Sequence, residues 1–504
     1  LHALLHKREP YSALVWVSVC LSIPLLGPLL YYMFGFNRIH RHAAKLMKKS
    51  TRHDGPTSIS TQVVPTVSNI TAEQFDEMSK QPMPNGGHID IIPDYAHASP
   101  RAVPLSLLPA RVRTVAGIGQ ELTQVPLLSG NSVIPLFNGE EAYPAMLEAI
   151  NKAERRVWLT TYIFDNDKTG KSFIQALEHA KNRGVDVRVL VDGVGVFATF
   201  PRTDKTLRKK GIPVASFLPP RLIPPQVSIN LRNHRKLLII DECTAFTGGM
   251  NITDVHLVNK TKSSGIQGLL NKMGAETAKD LHFKVSGSIL APLIRIFARD
   301  WQFCTGESLN MPAAHDCMAI TGNSLCRAIL DGPDDYFDVF YSTLLGVISA
   351  AKSSIKIMTP YFLPPRELET ALQSAAMRGV DITIILPKEN DHRIVAWATN
   401  NAVWGLLERG IKIYYQPPPF DHTKLLLVDG YYVHMGSANM DPRSFRLNFE
   451  LTMEIFDLPL ASRLETHFKQ VQAESALYTI DDVNARSLPV RVRDALCWML
   501  SPYL

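Results

Sequence analysis

One polar pattern occurs twice, and it constrains the chain more than any other feature of its sequence. The first copy reads His234-Arg-Lys236-Leu-Leu-Ile-Ile-Asp241, followed by Gly248-Gly249-Met-Asn251. The second reads His422-Thr-Lys424-Leu-Leu-Leu-Val-Asp429, followed by Gly436-Ser437-Ala-Asn439. Fourteen residues separate His from Gly in both copies. One such string arises by chance, but two with matched glycines and asparagines do not. Around them the chain repeats at a coarser grain. Helix, turn and strand near Ala149 recur near Ser349, and Arg183-Gly-Val-Asp-Val recurs as Arg378-Gly-Val-Asp-Ile. Gly184 and Gly379 stand where a helix C-cap is wanted, each followed by a β-branched strand. Strands alternating with helices, twice over, predict an α/β body of two lobes related by pseudo-two-fold symmetry, each a sheet flanked by helices.

The spacing states the chemistry. His234 and Lys236 lie two apart and share a strand face, so both reach one anion. Asp241 has the opposite parity and lies roughly 23 Å from His234 along an extended strand. The spacing therefore gives Asp241 and Asp429 a structural role at the strand end. Asn251 and Asn439, with Gly249 and Ser437 beside them, offer amide and backbone groups to the same edge. Half a site per copy makes one whole site with two His, two Lys and two Asn. That composition suits a phosphodiester. Lysines and amides hold the non-bridging oxygens, one histidine attacks phosphorus and the other protonates the leaving oxygen. No carboxylate cluster or H-E-x-x-H string is present to hold a metal, and no cofactor is expected. His88, His97, His256 and His282 are scattered and read as surface or structural residues.

The duplicated motif resembles that of the phospholipase D superfamily, over roughly residues 130–504, and within it the bacterial cardiolipin synthases. Thr-Pro-Tyr361-Phe, Asn439-Met-Asp-Pro-Arg443-Ser444, Leu-Asn448-Phe-Glu450 and the terminal Ser501-Pro-Tyr-Leu carry the resemblance. It implies transfer of a phosphatidyl group from one phosphatidylglycerol to another, with release of glycerol, through a phosphohistidine and without metal. By position in the first motif it implies His234 as the nucleophile. It also implies a carboxylate behind each histidine. Glu450 follows His422 by 28 residues and Asp280 follows His234 by 46, so Glu450 is expected behind His422 and Asp280 behind His234. The stretch 259–277 reads as an insertion. The catalytic residues are then His234, Lys236, Asp241, His422, Lys424 and Asp429, with Asn251, Asn439, Ser437, Gly249, Glu450 and Asp280 in support. A hydrolytic phospholipase D or another phosphatidyltransferase shares every one of these residues, and a nuclease of the same superfamily is a further alternative. The other class of cardiolipin synthase uses an aspartate-rich metal motif, and that string is absent.

Charge and hydropathy bear on location. Net charge is +6, yet residues 1–53 hold eight Lys/Arg against Glu9 alone, so the remainder is near neutral. A nucleic-acid partner is not expected, since such a surface carries its positive excess on the fold. From Tyr11 to Phe36 there are 26 residues without a charge. The apolar length predicts a transmembrane helix kinked near Pro24–Pro28, with Tyr31, Tyr32 and Phe34 at the interface. Basic residues Arg38–Arg52 follow, which places the catalytic lobes in the cytoplasm against the bacterial inner membrane and its anionic lipids. The expected order is an anchor over 1–37, a basic segment and linker over 38–130 (loosely ordered over 50–115), a first lobe over 131–310 and a second over 311–504. The apolar run 490–504 is expected either to meet the lipid interface or to dock on the second lobe. None of the six cysteines forms a C-x-x-C pair, as befits a reducing compartment.

Overall fold

The computed structural model describes residues 10–24, 26–31, 101–199, 201–219, 231–259, 277–310, 319–334 and 336–501. The basic collar at 38–52, most of the expected tether and the 259–277 insertion lie outside them, Asn259 and Thr277 apart.

The N-terminal segment differs from the expected single kinked helix. It has α1 (Pro10–Ser22) and α2 (Leu26–Leu30), separated by a turn. The rings of Trp16 and Tyr31 meet at 5.3 Å between centroids, whereas a continuous helix would separate these positions by about 22 Å. The chain therefore doubles back. Pro24 cannot donate to a continuing helix. At Gly27 a Cβ would stand 2.3 Å from the Val19 carbonyl oxygen, so only glycine allows this approach. Among the described residues no helix is long and apolar enough to cross a membrane.

Residues 101–130, read from the sequence as linker, are instead part of the catalytic body. Helix α3 (Ala110–Thr123) packs on α7 (Val339–Ala350) of the second half and buries Val112, Val115 and Ala116. Gly119 leaves room for the Arg327 guanidinium, which pairs with Glu454 and donates to Ala116 O at 3.1 Å. The apolar i, i+3, i+4 stripe is short here, and its partner helix is more than 200 residues away in sequence.

The first half runs β1 (Leu127–Phe137), α4 (Asn138–Lys152), β2 (Arg156–Thr161), α5 (Lys168–Asn182), β3 (Asp186–Asp192), β4 (Val214–Phe217), β5 (Arg232–Asn233), β6 (Leu237–Ile240), β7 (Thr244–Gly248), β8 (Ala278–Lys279), β9 (Leu281–Ser286) and α6 (Leu290–Thr305). The second runs β10 (Ser324–Asp331), α7, β11 (Ser354–Met358), α8 (Arg366–Met377), β12 (Asp381–Pro387), α9 (Arg393–Ala402), β13 (Lys412–Gln416), β14 (Phe420–Asp421), β15 (Leu425–Val428), β16 (Tyr432–Gly436), α10 (Pro442–Arg446), β17 (Asn448–Phe456) and α11 (Leu458–Glu474), with a final α12 (Leu488–Met499). Strand order in the first sheet is β1-β9-β7-β6-β2-β3-β4. In the second it is β10-β17-β16-β15-β11-β12-β13. The two orders match strand for strand. In each, four antiparallel strands lead into a parallel trio, whose near-continuous Val/Ile/Leu content reflects burial on both faces. The antiparallel pair β1 and β10 joins the two sheets.

The repeated Arg-Gly-Val-Asp turns are alike. Gly184 and Gly379 adopt φ of +90° and +88°. Val185 N–H reaches back to Ala180 O at 3.2 Å and Val380 N–H to Ala375 O at 3.1 Å, the bonds of a Schellman cap. The Asp residues of the two motifs close the neighbouring turn. Asp241 accepts the backbone N–H of Glu154, Arg155 and Arg156 at 2.7–2.8 Å. Asp429 accepts those of Lys352, Ser353 and Ser354 at 2.7–3.0 Å. Burial would raise the Asp429 carboxyl, but these three N–H groups hold it below the usual carboxylate range. Both aspartates thus pin a helix-to-strand corner away from the histidines.

Candidate active site

Two minor strand pairings assemble the site. The two-residue strand β5 runs parallel to the start of β17, and β14 runs parallel to β8. His234 N–H donates to Phe449 O at 2.9 Å, and His422 N–H donates to Lys279 O at 2.8 Å. Each motif histidine is therefore hung on a strand of the other half.

This crossing corrects the expected carboxylate partners. Glu450 stands behind His234, with both oxygens 3.0 Å from Nδ1. Asp280 stands behind His422, with Oδ2 2.8 Å from Nδ1. Glu450 is fully buried. It also accepts from the Ser437 hydroxyl and, at 3.0 Å, from Asn448 Nδ2. Burial alone would raise its pKa, but the charges and hydrogen bonds of His234, Lys236 and Ser437 bring it down to about 2. An ionised carboxylate only accepts, so His234 Nδ1 carries the proton and Nε2 keeps its lone pair for chemistry.

The lysines fold back on their own histidines. Lys236 Nζ donates to His234 O at 2.7 Å and Lys424 Nζ to His422 O at 2.6 Å, with the Lys424 ammonium 3.0 Å from His422 Nδ1. Both are buried. Burial lowers Lys236 to about 7 and Lys424 to about 8 against the pull of Glu450 and Asp280. His422 is pushed well below its ordinary value, by burial first and then by the charges of Lys424, Lys236 and His234. His234 is lowered by burial too, with Glu450 opposing. That each histidine feels the other half's lysine shows that the two half-sites face one another. Two lysines and two imidazoles thus face one another with Glu450 and Asp280 behind the rings, a set of donors suited to a phosphodiester.

The Gly249/Ser437 difference has a steric reason. A Cβ at Gly249 would lie 2.3 Å from Asp280 Oδ1, while the Ser437 hydroxyl is a donor to Glu450. Gly249→Ser is expected to displace Asp280 from His422 and lower turnover by at least tenfold with little change in melting temperature, read by steady-state assay and thermal denaturation. Turnover within twofold of the parent would show that Asp280 has room to move.

Asn251 Oδ1 accepts Ile163 N–H at 3.2 Å, whereas Asn439 Oδ1 is buried without a partner among the described residues. Sequence reasoning missed what holds these asparagine loops. The Asn251 N–H faces His256 Nε2 at 3.4 Å, and Asn439 N–H donates to Ser444 Oγ at 3.1 Å. Both partners lie five residues beyond the asparagine, a matched spacing that was legible. His256 is thus in the site wall, its ring 6.2 Å from that of His422, and burial lowers it to about 4. Also missed was Tyr162, whose ring lies 5.3 Å from His234, as that of Tyr361 lies 6.4 Å from His422.

Fold and paired histidines together define an enzyme of the phospholipase D-like class. Residues 146–262 and 344–472 match the family described as cardiolipin synthase, PLD-like domain, and residues 1–35 match the phospholipase D-nuclease N-terminal family. A cardiolipin synthase of Geobacillus kaustophilus is 30% identical over 99% of this chain and 90% of its own length. The major cardiolipin synthase ClsA of Bacillus subtilis is 30% identical over 99% of this chain and 95% of its own. Among solved structures, phosphatidylserine synthase of Haemophilus influenzae shares the fold at a TM-score of 0.59, with 15% identity over 77% of this chain and all of that one. The chain belongs to the cardiolipin synthase family of phosphatidyltransferases.

Proposed function

We propose that this enzyme joins two phosphatidylglycerol molecules into cardiolipin and releases glycerol, with the phosphatidyl group carried on a histidine. The convergence of two carboxylate-backed histidines and two buried lysines carries this reading. His234 is the attacking group, since its carboxylate is the more fully anchored, held by His234, Ser437 and Asn448. Its Nε2 bonds to phosphorus while the glycerol oxygen leaves with a proton from His422, which the bound phosphodiester's negative charge brings into its protonated form. The second lipid's hydroxyl then displaces Nε2 and returns a proton to His422. Lys236 and Lys424 hold the non-bridging oxygens as charge builds.

The substrates place the site at a lipid surface. In the N-terminal segment Leu14, Val15, Leu21, Ile23 and Leu26 are exposed, and we place this charge-free segment in the cell membrane with the catalytic body on the cytoplasmic side. Of the two C-terminal expectations, docking on the second lobe is the one seen in the fold. Helix α12 docks on α9, yet leaves Leu488, Val492, Leu496, Met499 and Leu500 exposed along one stripe. Its one acid, Asp494, is buried and paired with Arg486 and Arg493. That stripe suits the interfacial layer of a bilayer.

Purified enzyme given phosphatidylglycerol alone is expected to yield cardiolipin and glycerol in equal amounts, read by lipid chromatography. Phosphatidic acid as the dominant lipid product would instead make it a hydrolase. The depressed lysines set the pH response. A lysine is charged below its pKa, so the positive field is complete below about pH 7 and fades as Lys236 and then Lys424 titrate. Accordingly kcat/KM should fall above about pH 7, as Lys236 titrates, and steepen toward a hundredfold per pH unit above about pH 8, where Lys424 also loses its charge. A flat profile to pH 10 would rule out these lysines as the source of the field.

A further inference from the structure

Helix α12 is built inside out. The repeat is complete without it, since α11 follows β17 as α6 follows β9. Among the residues of α12 only an acid, Asp494, is buried. Leu488, Val492, Leu496 and Met499, spaced i, i+4, i+8 and i+11 along one stripe, are 50–72% exposed. A helix that completes a core turns such a stripe inward. Here the stripe faces out and the carboxylate faces in, so the apolar side is left for a partner outside the chain.

The stripe ends beside the active site. Arg486, just before α12, donates to Asn400 O at 3.2 Å near the end of α9, and the Arg493 guanidinium lies 4.3 Å from the centre of the Trp397 ring. Val395 and Cys497 pack against a small core of Leu363, Ala398 and Ala402. Helix α12 therefore runs back along α9, and its last turn lies by the first turn of α9. That turn adjoins the His422 half-site. The His392 ring is 5.4 Å from Tyr361, whose hydroxyl donates to Asp391 at 2.7 Å and whose ring is 6.4 Å from His422. Leu363 stands two residues beyond the same tyrosine. Ile394 in the first turn of α9, with Trp498, Met499 and Leu500 at the end of α12, are 46–68% exposed. Arg393 and Arg491 are exposed on the same two helices, whereas Asp494 is the sole acid from 483 to 504 and is buried.

We propose that the exposed edge shared by α9 and α12 is a docking lip, which enters the headgroup layer of an anionic bilayer and holds the His422 side of the active site against it. The lip deepens the lipid-substrate reading and rests on it for the choice of partner. A bilayer is an apolar partner that the reaction already requires. Exposed arginines beside an apolar stripe, with no exposed acid on α12, match a negatively charged surface. Trp498 suits the same layer, apolar in its rings and polar at its N–H. Whereas the N-terminal segment fixes the chain to a membrane, the lip decides which way the site faces. A headgroup then reaches the histidines while its acyl chains stay in the leaflet.

The test compares full-length enzyme with the double variant Leu496→Asp/Met499→Asp. One assay gives short-chain phosphatidylglycerol to enzyme in detergent micelles, and the other gives long-chain phosphatidylglycerol to enzyme reconstituted in vesicles. Turnover is read as phosphatidylglycerol consumed, whichever product forms. The variant should stay within twofold of the parent in micelles and fall at least tenfold in vesicles, while Leu496→Phe should match the parent in both. Vesicle turnover within twofold of the parent would show that the edge meets no bilayer. An equal loss in both assays would show that it serves the fold or the site, and conversion of a parent dimer to monomers, read by light scattering, would make a second copy its occupant. Each of these overturns the lip. Contact is also read without turnover, from the fluorescence that Trp498→Phe removes. Nitroxide-labelled lipid in the vesicles should quench that difference at least twofold, and an unquenched difference would overturn the lip as well. A parent that consumes no phosphatidylglycerol yet shows the quenching would strike the reading of the reaction and leave the lip standing.

Discussion

Replacing either His234 or His422 by alanine is expected to lower phosphatidyl transfer by about 10⁴-fold or more while leaving the fold intact. One imidazole must bond to phosphorus and the other must give and take a proton, so neither loss can be shared. Each ring is only about one-eighth exposed, and its hydrogen bonds end on a carboxylate and, for His422, also on the Lys424 ammonium, so truncation leaves a small polar hole and no overturned core. Denaturation midpoints should stay within a few degrees. The double variant should be no worse than the poorer single one, since residues acting as a unit are not additive. Quenching during turnover should trap a phosphorylated peptide containing His234. A trapped peptide containing His422 alone would reverse the two roles, and near-normal activity in either alanine variant would end the two-histidine scheme.

Glu450→Gln is expected to cost about 10²- to 10⁴-fold in kcat, because it removes the charge that stabilises the imidazolium and allows the wrong tautomer of His234. Its coupling partner is the informative part. Combined with His234→Ala it should add little, because the two share one function. Combined with Asp280→Asn it should multiply, because those acids serve different rings. Measured kcat for the four variants closes the two cycles. If Glu450→Gln were instead silent only in a His422→Ala background, the assignment of acids to histidines would be the uncrossed one.

That assignment marks where sequence reading stops. The duplication, the parity of His and Lys and the remoteness of Asp241 and Asp429 follow from spacing alone, because side-chain alternation and rise per residue are local properties. The matched sheets follow from strand-helix alternation. The acids do not. Nearness in sequence favoured Glu450 for His422 and Asp280 for His234, whereas the pairing depends on β5 meeting β17 and β14 meeting β8, each only two residues long. Nothing in two residues of strand announces a partner 216 positions away. Helix α3 was hidden for a similar reason. Its buried face meets α7 and the buried Arg327–Glu454 pair, both contributed by the second half of the chain. The doubled-back α1 and α2 escaped because an apolar run reports its affinity for lipid and not its path, while Gly27 was visible and its meaning was not.

The exchange of acids between halves has a consequence for how such a protein can change over time. A lone half with this topology would own a histidine whose supporting carboxylate is missing and a carboxylate with no histidine to support. Two identical copies, back to back, would complete each other, so the arrangement is what fusion of a symmetric pair would leave behind. Once fused, the copies are free to diverge everywhere except across those two bonds. A substitution near Glu450 is tolerated or rejected according to what stands at His234, more than 200 residues upstream. Grafting the second half of a relative onto the first half of this chain should therefore succeed or fail on two contacts, and hybrids that exchange Glu450 with its strand but not the His234 segment are the ones expected to be inactive.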